Sequence, residues 1–390
     1  MLQTGKKIKI RENDAEKWKS IPDKTVYQSN KQLLPQKSSL KIKYIILFLL
    51  LPVCISCQKG TESAHENVYV IQNSKFNISN NKTNARATTD GINKALKHAK
   101  AEGHSYIKLT PGEYLIQCTG NNRWVPPTDG IIIPDGITLD LTGVKIYIEP
   151  NDYETYGILQ LEHVSDVTIF GGHLIGDRHQ HTYEPNKSHE YGFGINIISS
   201  ANITIKNMRI EGMTGDGVII TRYGHVTGNS HFCKNIQITE CEISDCRRQG
   251  ISVVDADGVE LSRNNIYNIY GTDPQFGIDI EPEVNYGCIA RQIKIHHNTI
   301  RDCVGGISFH GGTDMEAYEN TITGLCLIAV YSQRVRIYKN KVSSPGYISA
   351  GKGSEQRPCK DICISTTGEL KNDCNTMVNH SIQTGNFNCF

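Results

Sequence analysis

The middle of the chain repeats one short pattern. "NITIKNMRI" (202–210), "NIQITECEI" (235–243), "GVELSRNNI" (258–266), "QIKIHHNTI" (292–300), "MEAYENTI" (315–322) and "RVRIYKNKV" each alternate apolar and polar residues and end in a polar turn. A second family of strands sits between them: "GFGINIIS", "GDGVIITR", "QGISVVDA", "FGIDIEPE" and "GGISFHGG". Alternation at a period of two marks strands. No helical pattern separates them, and the spacing between copies is about 20 to 36 residues. One such unit cannot bury its own apolar face, so the copies must stack into a solenoid. A β-sandwich also places strands every few residues, but it has no reason to hold one pattern in register six times. In four successive copies an asparagine follows the strand: Asn264, Asn298, Asn320 and Asn340. Asparagine tolerates left-handed backbone and hydrogen-bonds locally, so these residues are expected at left-handed turns that bond to the next coil.

The open end of a solenoid exposes strand edges and needs a cover. "TTDGINKALKHAKAEGHSYIKLTPGEYLI" (88–116) supplies one. Ile92, Ala95, Leu96 and Ala99 stand at helical spacing, Asp90 is expected to cap the helix start, and Gly103 to end it. This order of helix with an Ala-rich face, glycine, strand and Pro-Gly-x-Tyr resembles the amino-terminal cap of the pectate lyase-like superfamily. The resemblance spans roughly residues 84–345. It implies an all-β fold, a single-stranded right-handed parallel β-helix with an N-terminal capping helix. It also implies a glycan substrate, a polysaccharide laid in a groove along one sheet. The expected organisation is a signal region at 1–56, a linker at 57–84, the β-helix at 85–345 and a carboxy-terminal cap or extension at 346–390.

The groove strands align on their inward aliphatics: Ile195, Val218, Ile251, Ile278 and Ile307. Parallel neighbours lie about 4.8 Å apart, so this register predicts contacts. Asp279 falls between Ser252 and Ser308, Glu281 beside His310 and Val254, and Arg222 on Asp255. "FGIDIEPE" is the densest chemistry, with Asp279, Glu281 and Glu283 at every second position. On a strand these side chains share one face, and like charges in a row repel by roughly 1 kcal/mol per contact in water. Asp279, Glu281 and His310 are therefore the catalytic candidates. Crowding is expected to raise the pKa of Glu281 and suit it as the acid of a glycoside hydrolase. Arg178, Arg222, Arg248, Asp255 and Asp216 are the substrate-binding candidates. Arg178 lies in "GDRHQHTYEPNKSHEYGFG" (176–194), a loop beside the groove that also carries Tyr183. In a second reading Asp279, Glu281 and Glu283 bind calcium, since Glu-x-Glu resembles the calcium ligands of some β-helical alginate lyases. The protein would then be a lyase or epimerase acting on uronates. A third reading is a glycan-binding or adhesion protein without chemistry, using aromatics such as Tyr270, Phe276 and Tyr331. The polygalacturonase and classical pectate lyase motifs of the superfamily do not appear. Between residues 207 and 293 the only lysine is Lys234, off the groove, which favours hydrolase over lyase.

The amino terminus points to export. "YIILFLLLPVCIS" (44–56) is uncharged and apolar, too short to span a bilayer, and flanked by Lys41 and Lys43. "CISCQKG" then resembles a bacterial lipoprotein signal with Cys57 as the lipidated residue, implying a membrane partner through a lipid anchor in the cell envelope. Residues 1–43 hold 11 Lys+Arg against 4 Asp+Glu, a net of +7; the whole chain is +1, which leaves −6 for the rest. An acidic body is a poor match for nucleic acid. Zinc is not expected: "CKDIC" has no matching second pair. Cys359, Cys363, Cys374 and Cys389 allow a stapled carboxy-terminal cap, and buried free thiols are the alternative.

Overall fold

The computed structural model describes residues 68–118, 130–222, 231–343, 346–350, 360–367 and 381–382. Every strand pairing in it is parallel, in two sheets of nine and twenty strands. The nine-stranded sheet positions the site. Its strands are β1 (Ile131–Ile132), β2 (Thr155–Glu162), β3 (Tyr191–Ile198), β4 (Val218–Thr221), β5 (Ile251–Val253), β6 (Phe276–Ile280), β7 (Gly305–His310), β8 (Cys326–Val330) and β9 (Tyr347–Ala350). Each pairs with the next, so successive coils stack directly.

One aliphatic column crosses all nine strands: Ile131, Leu159, Ile195, Val218, Ile251, Ile278, Ile307, Leu327 and Ile348. All nine are buried. Each side chain removed from water contributes about 1.5–3 kcal/mol, which pins the register, because a slip of one residue would expose the whole column. The groove alignment expected from the sequence is the one observed.

The asparagines form a buried ladder, but not in the backbone state expected. Left-handed backbone falls one residue earlier, at Arg263, His297, Glu319 and Lys339. The asparagines are retained for hydrogen bonds instead. Asn298 Nδ2 donates to Leu261 O (2.9 Å) and Asn320 Oδ1 (2.9 Å), while its Oδ1 accepts from Asn264 N (2.9 Å) and Nδ2 (3.0 Å). Asn320 repeats the pattern onto Asn340, and Asn264 extends it to the amide of Cys241. The ladder satisfies buried backbone groups where each coil turns.

The cap helix α1 spans Ala85–Ala101 and begins earlier than expected. Asp90 lies inside it, paired with Arg86 at 3.0 Å, so it is not the cap. Burial of Ala85, Thr88 and Thr89 explains the longer helix; Thr89 Oγ1 also accepts from the amide of Gln117 (2.8 Å). Gly103 ends the helix with φ +84°. Residues 68–84 are not a linker: Val68–Val70 pairs with Tyr106–Lys108 as the first strand of the larger sheet. Nor does the coil stop at 345, since Lys360–Thr367 pairs with Gln333–Ser343, and Ser381–Ile382 pairs onto it. Cys233, Cys241, Cys246 and Cys288 are buried free thiols, and Cys118 is buried as well. The side chains of Cys359, Cys363, Cys374 and Cys389 lie outside the described residues, as does Cys57.

Candidate functional site

The row that follows the aliphatic column points away from the coil interior. It reads Gln160, Asn196, Ile219, Ser252, Asp279, Ser308 along β2 to β7. Asp279 therefore sits between Ser252 and Ser308, as expected. The row is not solvated, however. Asn196, Ser252, Asp279 and Ser308 are buried, with Asp279 only 3% exposed. Turn residues from the preceding coils roof it.

Arg248 and Gln249, just upstream of β5, form that roof. Arg248 Nη1 lies 2.9 Å from Glu281 Oε1 and 3.2 Å from Asp216 Oδ2, and its Nη2 donates to Glu281 Oε2 (3.1 Å). Gln249 Nε2 donates to Glu281 Oε1 (2.7 Å), and Ser252 Oγ donates to Asp216 Oδ2 (2.7 Å). One guanidinium thus ties together two carboxylates, from the coils on either side of its own. Asp216 reaches it from the tight turn before β4, where Gly217 passes so close to the next coil that a Cβ would stand 2.7 Å from the carbonyl of Gly250. Arg248, expected to hold substrate, is instead engaged by the protein's own acids.

Two of these acids, Asp216 and Asp279, are raised. Burial pushes Asp216 up to about 7, against the pull of Arg248. Asp279 is raised well above the usual carboxylate range, first by burial and then by the charge of Glu281, with hydrogen bonds from Ser308 pulling the other way. Asp279 Oδ1 and Gln249 Oε1 are also buried without a hydrogen-bond partner among the described residues. Both are acceptors, so a proton kept on Asp279 leaves fewer lone pairs stranded than a carboxylate does. Within "FGIDIEPE" the acid that burial raises is Asp279. The side chain of Glu281, 23% exposed, is the acid that reaches the surface.

Glu283 does not join this group. Strand β6 stops at Ile280, and Glu283 is exposed at the start of a 3-10 turn over Val284–Tyr286. Among the described residues no three of His, Cys, Asp or Glu converge as metal ligands. The expected calcium set of Asp279, Glu281 and Glu283 is therefore not assembled, because two of its members leave the strand and one is engaged by Arg248. His310 ends β7; the paired run on this side closes at Ile280 opposite Phe309, one residue short of Glu281 and His310. Its ring lies 5.2 Å from that of Tyr331.

Arg222 and Asp255 meet as expected, with Nε 3.3 Å from Oδ2. Arg222 also donates to the carbonyl of Tyr286, and Asp255 Oδ1 accepts from Ile289 N (2.7 Å). The pair fastens the loop after β6 to the sheet. Arg178 stands apart from the acids: it pairs with Asp245 (3.1 Å) and donates to Tyr270 O (2.7 Å). Its loop is fixed by a buried chain absent from the sequence reading. Tyr156 OH donates to Asp177 Oδ1 (2.9 Å), His181 Nδ1 lies 2.8 Å from Asp177 Oδ2, and His181 Nε2 lies 2.9 Å from His189 Nδ1. Glu184 N donates to His189 Nε2 (3.0 Å), so that nitrogen is an acceptor, the proton of His189 sits on Nδ1, and both imidazoles are neutral. The spacing Asp177, His181, His189 was the only hint in the sequence.

Residues 163–342 match the family described as "Right handed beta helix region". Over 318 residues the chain is 27% identical to the SPβ prophage-derived protein YorA of Bacillus subtilis, covering 77% of this chain and 53% of YorA. Over 204 residues it is 33% identical to protein YclG of the same organism, covering 50% and 35%. The chain thus spans about half or less of the length of these curated relatives. Among solved structures, the A-module of the mannuronan C-5 epimerase AlgE6 from Azotobacter vinelandii aligns with a TM-score of 0.53 at 13% identity, covering 82% of this chain and 97% of the module. At that identity the likeness is one of fold.

Proposed function

We propose that this chain, a right-handed parallel β-helix of the pectate lyase-like superfamily, is a carbohydrate-active enzyme that hydrolyses glycosidic bonds of a polysaccharide laid across β4 to β7. One observation carries the reading: two carboxyls two residues apart stand in opposite surroundings, Asp279 buried with Oδ1 unpartnered among the described residues and Glu281 at the surface against a guanidinium. Asp279 keeps its proton, while Glu281 is held by Arg248 and Gln249 at the surface. Hydrolysis of a glycosidic bond asks for such a split, one carboxyl as acid and the other as base or nucleophile. In this reading Asp279, beneath Arg248 and Gln249, is the acid. Glu281 is the carboxylate that attacks the sugar or activates water. Arg248 stabilises that carboxylate and does not contact the sugar's own charge. A stacked strand holds Asp279, and Arg248 and Gln249 hold Glu281 just beyond its end. For the chain as a whole we propose export and lipidation at Cys57, with intact-mass analysis of membrane-extracted protein as the check.

The test is turnover on a polysaccharide panel, read as new reducing ends. On the glycan that is cut, Asp279→Asn and Glu281→Gln each lower turnover at least about 10²-fold, the low end for an acid–base group. Near-normal turnover by both variants removes the acids from the reaction. Products carrying an ultraviolet-absorbing double bond mark elimination rather than hydrolysis.

A further inference from the structure

We infer that Tyr183 and Tyr270 form a sugar-stacking subsite, and that the ring it takes is an uncharged pyranose; its part in catalysis rests on the glycan reading above. Both tyrosines are large aromatics left in water, 40% and 47% exposed. An exposed aromatic without a partner is usually free to swing. These two are fixed. The guanidinium of Arg178 lies 4.2 Å from the centre of the Tyr270 ring and donates to the same residue's carbonyl. The guanidinium of Arg247 lies 4.9 Å from the Tyr183 ring and donates to Ser188 O (2.9 Å) and His189 O (3.0 Å). Tyr183 OH donates to Arg178 O (3.0 Å), which locks the two halves together. Between them Gly271 leaves no room: a Cβ there would stand 2.8 Å from Arg247 Cγ and 3.3 Å from Arg178 Nη2.

Two rigid rings, each backed by a cation, present apolar surface at little entropic cost. The C–H face of a sugar ring fits such a surface, and its hydroxyls stay in water. The patch also lies next to the chemistry in the chain: Arg247 holds Tyr183, and its neighbour Arg248 holds Glu281. The ligand's charge follows from where the guanidinium donors point. Those of Arg178 go to Asp245 and a carbonyl, those of Arg247 to two carbonyls, those of Arg222 to Asp255 and a carbonyl, and those of Arg248 to Asp216 and Glu281. All four already serve protein acceptors, and Arg178, Arg222 and Arg248 are each neutralised by a protein carboxylate, which disfavours a uronate there. Arg222 and Arg248 are two of the substrate-binding candidates, and their pairing with protein acids argues for a neutral glycan.

The test is affinity electrophoresis of the full chain in gels containing laminarin, xylan, galactomannan, amylose, polygalacturonate or alginate. Retention by at least one of the four neutral glycans is expected, with little or none by the two polyuronates. Tyr183→Ala and Tyr270→Ala should each weaken that retention about tenfold, while Tyr270→Trp retains it. Unchanged circular dichroism and melting of each variant separate loss of the ring from loss of the fold. Retention by polyuronates alone, by no glycan, or by a neutral glycan irrespective of the tyrosines overturns the subsite. Retention that depends on the tyrosines without any product leaves the subsite standing and sinks the hydrolase. Product formation that ignores the tyrosines does the reverse.

Discussion

Asp216 is the best place to test whether the site's electrostatics are as described. It is fully buried, and burial moves its proton from 3.8 up to about 7. A buried acid with a raised pKa is stabilised when protonated, so folding loses stability as pH rises through the window from about 4 to about 7. At 1.36 kcal/mol per pH unit, the carboxyl costs about 2 kcal/mol at pH 5 and about 4 kcal/mol at pH 7 relative to an acid that ionises freely. Asp216→Asn removes the ionisation and keeps an acceptor for Arg248 and a partner for Ser252. Arg248 retains Glu281 as its ion pair. The stability of the variant relative to the native chain should therefore rise by about 2 kcal/mol between pH 5 and pH 7 and level off above that. Chemical denaturation at several pH values measures it, and the difference between the two proteins cancels every other titrating group. A flat difference across that range, or one that falls with pH, refutes the account of Asp216. The sign is the informative part, since an acid held charged by Arg248 would give the opposite slope.

Three further outcomes follow from the same structure. Asn298→Ala strands the amide of Asn264 and the carbonyl of Leu261; at about 1–3 kcal/mol for each buried unsatisfied group, denaturation should show a loss of about 2–6 kcal/mol, whereas exposed Lys339→Ala should stay within about 0.5 kcal/mol. Asp279→Asn copies a neutral acid and should leave the melting temperature at pH 7 nearly unchanged, while Glu281→Gln, which removes a charge partner of buried Arg248, should lower it; equal losses would mean Asp279 is charged. The pKa of His189 is lowered, first by burial and then by His181, with Glu154 raising it and Lys187 lowering it further. Its contribution is complete above its ordinary value of 6.5 and is lost as pH falls through that value toward the folded one. The protection factor of the Glu184 amide, which removes the intrinsic pH dependence of exchange, should therefore fall at pH 5 relative to pH 7.5, and a pH-independent protection factor would contradict the neutral His181–His189 pair.

The fold was legible because its information is periodic. Alternation fixes which side of a strand is apolar, repetition fixes which residues stack, and burial of a nine-residue column leaves no second register. The pairing of Arg222 with Asp255 and the seat of Asp279 between two serines followed from the same alignment. What failed at this level was local. The left-handed residue precedes each ladder asparagine, because the turn needs the conformation at one position and the hydrogen bonds at the next. The helix start was misplaced because the apolar period begins at Ile92, while buried Thr88 and Thr89 carry no hydrophobic signal.

The site was only half legible, for a different reason. A period of two distinguishes the coil interior from its outside, but it does not distinguish outside from water. Asp279 and Asp216 lie outside the apolar column and are nevertheless dry, because Arg248 and Gln249 fold back over them from a neighbouring turn. That roof depends on the reach of a long side chain across three coils, which no register encodes. The row of three acids was likewise an overextension of the strand. Pro282 cannot donate to a ladder, the strand stops at Ile280, and Glu283 turns to solvent. The like-charge cost read from "FGIDIEPE" is thereby relieved twice, by a proton kept on Asp279 and by an arginine placed on Glu281. A row of identical charges in a sequence thus resolves into one neutral acid, one ion-paired acid and one solvated acid, and that inequality gives the groove two carboxyls with different work to do.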